Sequence, residues 1–127
     1  MANRIKTIQS LLEKSPSDVF LHYSLAMEFC AASLEAAGDA ATLPSPQPVD
    51  KTPEELRELA QEHFGICIQL DPNYLPAYVE LGKCCRSAGQ FQKAREIFNA
   101  GLTLAANQGQ QHTQDYIRQQ IEGLPKT

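Results

Sequence analysis

A chain of 127 residues, 43% of them hydrophobic and 20% charged, is long enough for one domain with a moderate core and too short for two. This composition excludes a disordered polymer, and 11 basic against 15 acidic side chains leave a net charge of -4. That balance speaks against nucleic acid as a partner, because phosphate recognition needs a basic stripe. No apolar run approaches the roughly 18 residues that span a bilayer, so no membrane contact is expected. The opening MANRIKTIQSLLEKSP spaces its apolar residues and lacks a signal-peptide core, so a cytoplasmic location is expected.

The first helix is expected over residues 4–15, with Ile5, Ile8, Leu11 and Leu12 on its apolar face and Pro16 ending it. Ser17 or Asp18 can cap the second helix by accepting from free backbone N–H groups. Its apolar residues are Phe20, Leu25, Ala26 and Phe29, with Tyr23 and Met27 on an adjoining stripe. The run AASLEAAGDAA is rich in helix formers, so the helix should continue through Leu34 and Ala37 to a stop at Gly38. Pro44, Pro46, Pro48 and Pro53 then mark an extended loop.

Thr52, Pro53 and Glu55 spell a helix start, with Glu55 three residues after Thr52 as in a capping box. Leu56, Leu59, Ala60, Phe64, Cys67, Ile68 and Leu70 continue this third helix to Asp71-Pro72. Beyond Pro72, Tyr78, Leu81, Gly82 and Cys85 share one face of a fourth helix, which Ala88-Gly89 breaks. Phe91, Ala94, Ile97, Phe98 and Leu102 form the apolar face of a fifth. Gly82, Ala94 and Gly101 are small residues set among large ones, as two closely crossing helices require. A last helix over 112–124 carries Tyr116, Ile117 and Ile121, with Leu124 at its end, and stops at Gly123 and Pro125.

The stretch DPNYLPAYVELGKCCRSAGQFQKAREIFNAGL, from Asp71 to Leu102, resembles a tetratricopeptide repeat. Tyr78, Leu81-Gly82, Ala94, Phe98 and Gly101 fall at that family's aromatic and small positions. A degenerate copy precedes it, with Leu25-Ala26 where Leu81-Gly82 falls, Ala60 and Phe64 where Ala94 and Phe98 fall, and His22 in place of the large aromatic Tyr78. Pro16 and Pro72 are 56 residues apart where the repeat has roughly 34, so about 22 extra residues lie inside the first copy. A disordered tether or an ordered flap would account for them; a helical extension followed by a short loop fits the composition better. The resemblance is to small bacterial members of the family and implies an all-α array of antiparallel helix pairs, a right-handed solenoid of about six helices. Its parts are an N-terminal helix (4–15), repeat one with an insertion around 35–53 (17–71), repeat two (72–106) and a capping helix (112–124).

The residues offer little chemistry. Cys30, Cys67, Cys84 and Cys85 lack metal-ligand spacing and read as reduced packing residues, and no cofactor or phosphate-loop motif occurs. His22 and Cys30 are eight residues apart, about 12 Å of helical rise, too far for proton transfer. His22 is expected to line a groove, His63 to face solvent and His112 to cap or stack. No enzymatic activity is expected.

Binding is better supported. In the resembled family the first helix of each pair lines a concave groove. Carried onto this chain, the groove positions are Phe20, Tyr23, Met27, Cys30 and Ala31 from repeat one and Pro76, Val79, Lys83, Arg86 and Ser87 from repeat two. One wall is then apolar and adaptable, and the other carries two cations. A protein or peptide with an apolar anchor and an acidic group or C-terminal carboxylate would suit it. The alternatives are that Phe20, Tyr23 and Met27 pack beneath the insertion or the first helix, or that the chain is a structural subunit that forms a homodimer.

Overall fold

The structure is a computed structural model that describes residues 2–38 and 52–125. These residues form helices only: α1 (Ala2–Lys14), α2 (Val19–Gly38), α3 (Pro53–Leu70), α4 (Leu75–Ser87), α5 (Phe91–Asn107) and α6 (Gln111–Glu122). Each helix packs on the next in the chain, and α2 also touches α4. The all-α helical array expected from the sequence is therefore what the described residues adopt. The part of the insertion before residue 39 is the last turns of α2, and the proline-rich stretch 39–51 lies outside the described residues.

Local chemistry sets the boundaries. Asp18 caps α2, its carboxylate accepting from Leu21 N at 3.1 Å. Both capping-box bonds of α3 form: Glu55 N donates to Thr52 Oγ1 (3.1 Å) and Thr52 N donates to Glu55 Oε1 (2.9 Å). Between α3 and α4 the Asp71 carboxylate accepts from Asn73 N, which folds the turn at Pro72. Gly89 ends the α4 side of its turn at φ 78°, in the left-handed region that glycine enters freely, and Gly109 does the same between α5 and α6 at φ 69°.

The core runs along the seams between helices. Ile5 and Leu12 from α1, Leu25, Ala26 and Phe29 from α2, and Leu56, Ala60 and Phe64 from α3 are buried at one end. Leu81 and Cys85 from α4, Ala94 and Phe98 from α5, and Ile117 from α6 are buried at the other. Side chains the size of Phe64, Phe98, Ile117 or Leu56 contribute about 1.5–3 kcal/mol each when removed from water. Leu11, placed on the apolar face of α1 by spacing, is in fact exposed, so that face is narrower than its periodicity implies.

Two histidines also depart from expectation. His22 is buried rather than lining a groove: its Nε2–H donates to the Pro16 carbonyl at 2.8 Å. That donation leaves His22 Nδ1 as an acceptor, 3.0 Å from His63 Nδ1, which must then carry the proton. His63 does not face solvent either; it is half-buried, stacked between His22 and Phe29 at centroid distances of 5.2 and 5.9 Å. Both rings are drawn inward because α2 and α3 pack side by side, and each finds a hydrogen bond that makes its burial tolerable.

Candidate binding groove between α2 and α4

Where α2 meets α4, Met27, Cys30, Ala31 and Ser33 face Glu80, Lys83, Cys84, Arg86 and Ser87 across a pocket of about 310 Å³. Arg57, from α3, completes its rim. A second pocket of about 470 Å³ lies between α4 and α6, lined by Leu75, Pro76, Val79, Glu80, His112 and Tyr116 among others. Glu80 lines both, so the two pockets adjoin. The structure thus brings Met27, Cys30, Lys83, Arg86 and Ser87 to one cavity and places Pro76 and Val79 in its neighbour.

Phe20 and Tyr23 line neither of these two pockets. Phe20 is 64% exposed at the start of α2. Tyr23 is half-buried, its ring edge-on to Phe64 at 5.8 Å and to Tyr74 at 5.5 Å. Burial, with Glu80 next in effect, pushes its phenol up to about 12. Tyr23 is therefore a packing residue between the helices, its OH remaining neutral.

The cations are held rather than loose. Lys83 Nζ is 3.5 Å from Glu80 Oε1 and lies over the Tyr116 ring, 5.9 Å from its centroid. Burial by itself lowers the Lys83 ammonium; Glu80 and Tyr116 more than offset this and leave its pKa raised, so the charge is permanent at neutral pH. Arg86 donates to the side-chain oxygen of Gln120 on α6, and Arg57 Nη2 pairs with Glu54 at 3.7 Å. Three positive groups and one carboxylate therefore surround the α2–α4 pocket.

Four lining residues, Ser33, Arg57, Glu80 and Cys84, lie outside the groove positions expected from the sequence. Arg57 sits on α3, outside the stripe that lines the groove in the resembled family, and no spacing rule points to it. Cys84 reads as a packing residue, yet it borders the pocket and donates its S–H to the Arg57 carbonyl at 3.7 Å. Among the described residues no helix is long and apolar enough to cross a membrane.

No family model matches the chain. Over 52 residues, 41% of its length, it is 38% identical to a TPR repeat-containing protein of Pseudomonas aeruginosa. The chain spans half the length of that curated relative.

Proposed function

We propose that this chain is a tetratricopeptide-like, non-enzymatic interaction module that holds an acidic peptide segment or a C-terminal carboxylate in the groove between α2 and α4. The partial similarity to a TPR repeat-containing protein supports the family and a protein partner. In this reading residues 4–15 are a half repeat, 17–71 repeat one with its insertion, 72–106 repeat two and 112–124 the cap. The observation that carries the ligand class is the local charge: Arg57, Lys83 and Arg86 against Glu80 in a chain whose net charge is -4. Met27 and the thiols beside these cations supply the polarisable apolar floor for an anchor side chain.

The test is fluorescence anisotropy with two labelled peptide sets. One set carries an apolar anchor followed by an acidic residue or a free C-terminal carboxylate; the other is amidated and lysine-substituted. Acidic peptides should bind, and Lys83→Ala/Arg86→Ala should weaken them by about tenfold or more, the worth of one charge-assisted hydrogen bond. Equal binding of the lysine set, or indifference to the double substitution, rejects the reading.

A second reading, self-association through the start of α2, is favoured by the 64% exposure of Phe20. Light scattering separates the two: a dimer of the 14.0 kDa chain that reverts to monomer with Phe20→Ser supports assembly.

A further inference from the structure

The α4–α6 pocket of about 470 Å³ adjoins the groove and differs from it in chemistry. Leu75, Pro76 and Val79 of α4 make it apolar, and α6 adds the Tyr116 ring. Among its lining residues the one carboxylate is Glu80, already paired with Lys83 at 3.5 Å. An uncharged apolar side chain suits such a pocket. The α2–α4 pocket instead gathers Arg57, Lys83 and Arg86. Arg57 pairs with Glu54 and Lys83 with Glu80, whereas Arg86 donates to the neutral Gln120. Arg86 is therefore the cation readiest for an incoming carboxylate.

Helix α4 sets the distance between the two pockets. Val79 lines the apolar one, and Arg86, seven residues on, lines the cationic one. Pro76 and Lys83 repeat the relation. Seven residues are two helical turns, so each pair shares a face and is offset by about 10.5 Å along the axis. A β-strand ligand does not match this spacing, because side chains on one of its faces recur at about 6.6 Å and then about 13 Å. A polyproline II helix turns once in three residues and rises about 3.1 Å at each, so its side chains at i and i+3 share a face about 9.3 Å apart. We infer that the groove takes a peptide in the polyproline II conformation, with an apolar side chain in the α4–α6 pocket and an acidic one three positions away in the α2–α4 pocket.

This rests on the proposed groove and adds the conformation and spacing of its ligand. The walls fit such a chain. Polyproline II makes no internal hydrogen bonds, and Gln110 and Thr113 bring side-chain donors and acceptors to the apolar pocket for its backbone. Lys83 Nζ is 5.9 Å from the centroid of Tyr116, so that ring stands at the border of the two pockets. The ring is 37% exposed, and aromatic faces are the seats that proline-rich segments use. In the cationic pocket Met27 offers an apolar surface to the methylenes of a glutamate. A chain that is already extended loses little freedom on binding, which matters in a groove this short.

Fluorescence anisotropy on the full chain tests the spacing. The probes are labelled peptides in which a leucine and a glutamate are separated by one, two or three prolines, in both orders. The two-proline spacing should bind about tenfold tighter than the others in at least one order, because it alone presents both side chains to one face. Replacing the two prolines by glycines should weaken it about threefold or more, since a flexible chain must be ordered on binding. Replacing the peptide's leucine by alanine should cost about tenfold on the unaltered protein and about threefold or less on Val79→Ala, the mark of a direct contact. Equal affinity at the three spacings, a tightest complex at one or three prolines, an equally tight glycine version, or a leucine effect untouched by Val79→Ala overturns the inference. If such peptides still lose affinity to Lys83→Ala/Arg86→Ala, the groove reading survives without it; if none of the peptides binds, both fall. The spacing series uses the unaltered protein, so it decides whether or not Val79→Ala folds, and far-UV circular dichroism checks that variant.

Discussion

Gly82 on α4 lies against the ring of Phe98 on α5, and nothing fits between them. A Cβ at Gly82 would stand 2.5 Å from Phe98 Cε1 and 2.6 Å from Cδ1, closer than atoms can approach. Phe98 is fully buried and cannot turn away without displacing its neighbours. The two helices cross at this distance because one of them has no side chain there.

Gly82→Ala should therefore destabilise the protein by about 1–2 kcal/mol, the overpacking cost outweighing alanine's better helix propensity. Urea unfolding followed by circular dichroism measures it. In a Phe98→Leu background the same substitution should cost less than half as much, because the ring atoms it strikes are gone. Equal costs in both backgrounds would show that the clash is not the cause.

The other helical glycines should respond differently. A Cβ at Gly65, within α3, meets no atom of the described residues within 4 Å, so Gly65→Ala should stabilise by about 0.5–1 kcal/mol. Gly101 is intermediate, with Tyr78 Cβ at 3.1 Å and the Ile117 Cδ1 methyl at 3.4 Å. Gly101→Ala should come out within about 0.5 kcal/mol of neutral, propensity offsetting crowding. The ranking of the three by unfolding midpoint is the check.

Thr52→Ala removes one half of the reciprocal cap on α3 and leaves Glu55 N without that acceptor. The expected loss is about 1 kcal/mol. Thr52→Ser keeps the oxygen and should restore most of it; a serine variant as weak as alanine would place the effect elsewhere.

Acid should weaken the α2–α3 seam through His63. Burial, and then the His22 ring beside it, hold the His63 pKa below its ordinary value of about 6.5, with Glu62 opposing. Because the folded pKa is lower than the unfolded one, the unfolded chain binds the proton first. The His63 contribution is therefore full above about pH 6.5 and is lost as pH falls from there through the lowered folded value. Urea midpoints should drop between about pH 7 and about pH 5, and His63→Gln, which keeps a donor toward His22 but cannot titrate, should reduce that drop. A drop of unchanged size would remove His63 as its source.

Much of this molecule is written in local chemistry. Pro16 and Pro72 bound helices because proline cannot continue one, Thr52 and Glu55 start α3 because their side chains satisfy its first N–H groups, and Gly89 ends a turn because it enters positive φ without strain. The periodicity of Phe64, Phe98 and Ile117 marks buried faces, and the small residues Gly82 and Gly101 mark close crossings, before any coordinates are known. These features depend on residues within one or two turns of each other.

What required the tertiary structure depends on which helices lie side by side. Spacing puts Leu11 on an apolar face, but only the packed structure shows that it stays exposed. His22 and His63 are 41 positions apart, and their mutual hydrogen bond exists only because α2 and α3 stack. Lys83 and Glu80 are three residues apart and could be paired from sequence, whereas the Arg57 rim and the Gln120 acceptor for Arg86 come from helices outside the expected groove. Helix starts, stops and faces follow from short-range sterics and capping, which the sequence determines by itself; the pairing of histidines and of charges follows from contacts between distant segments, which only the assembled core decides.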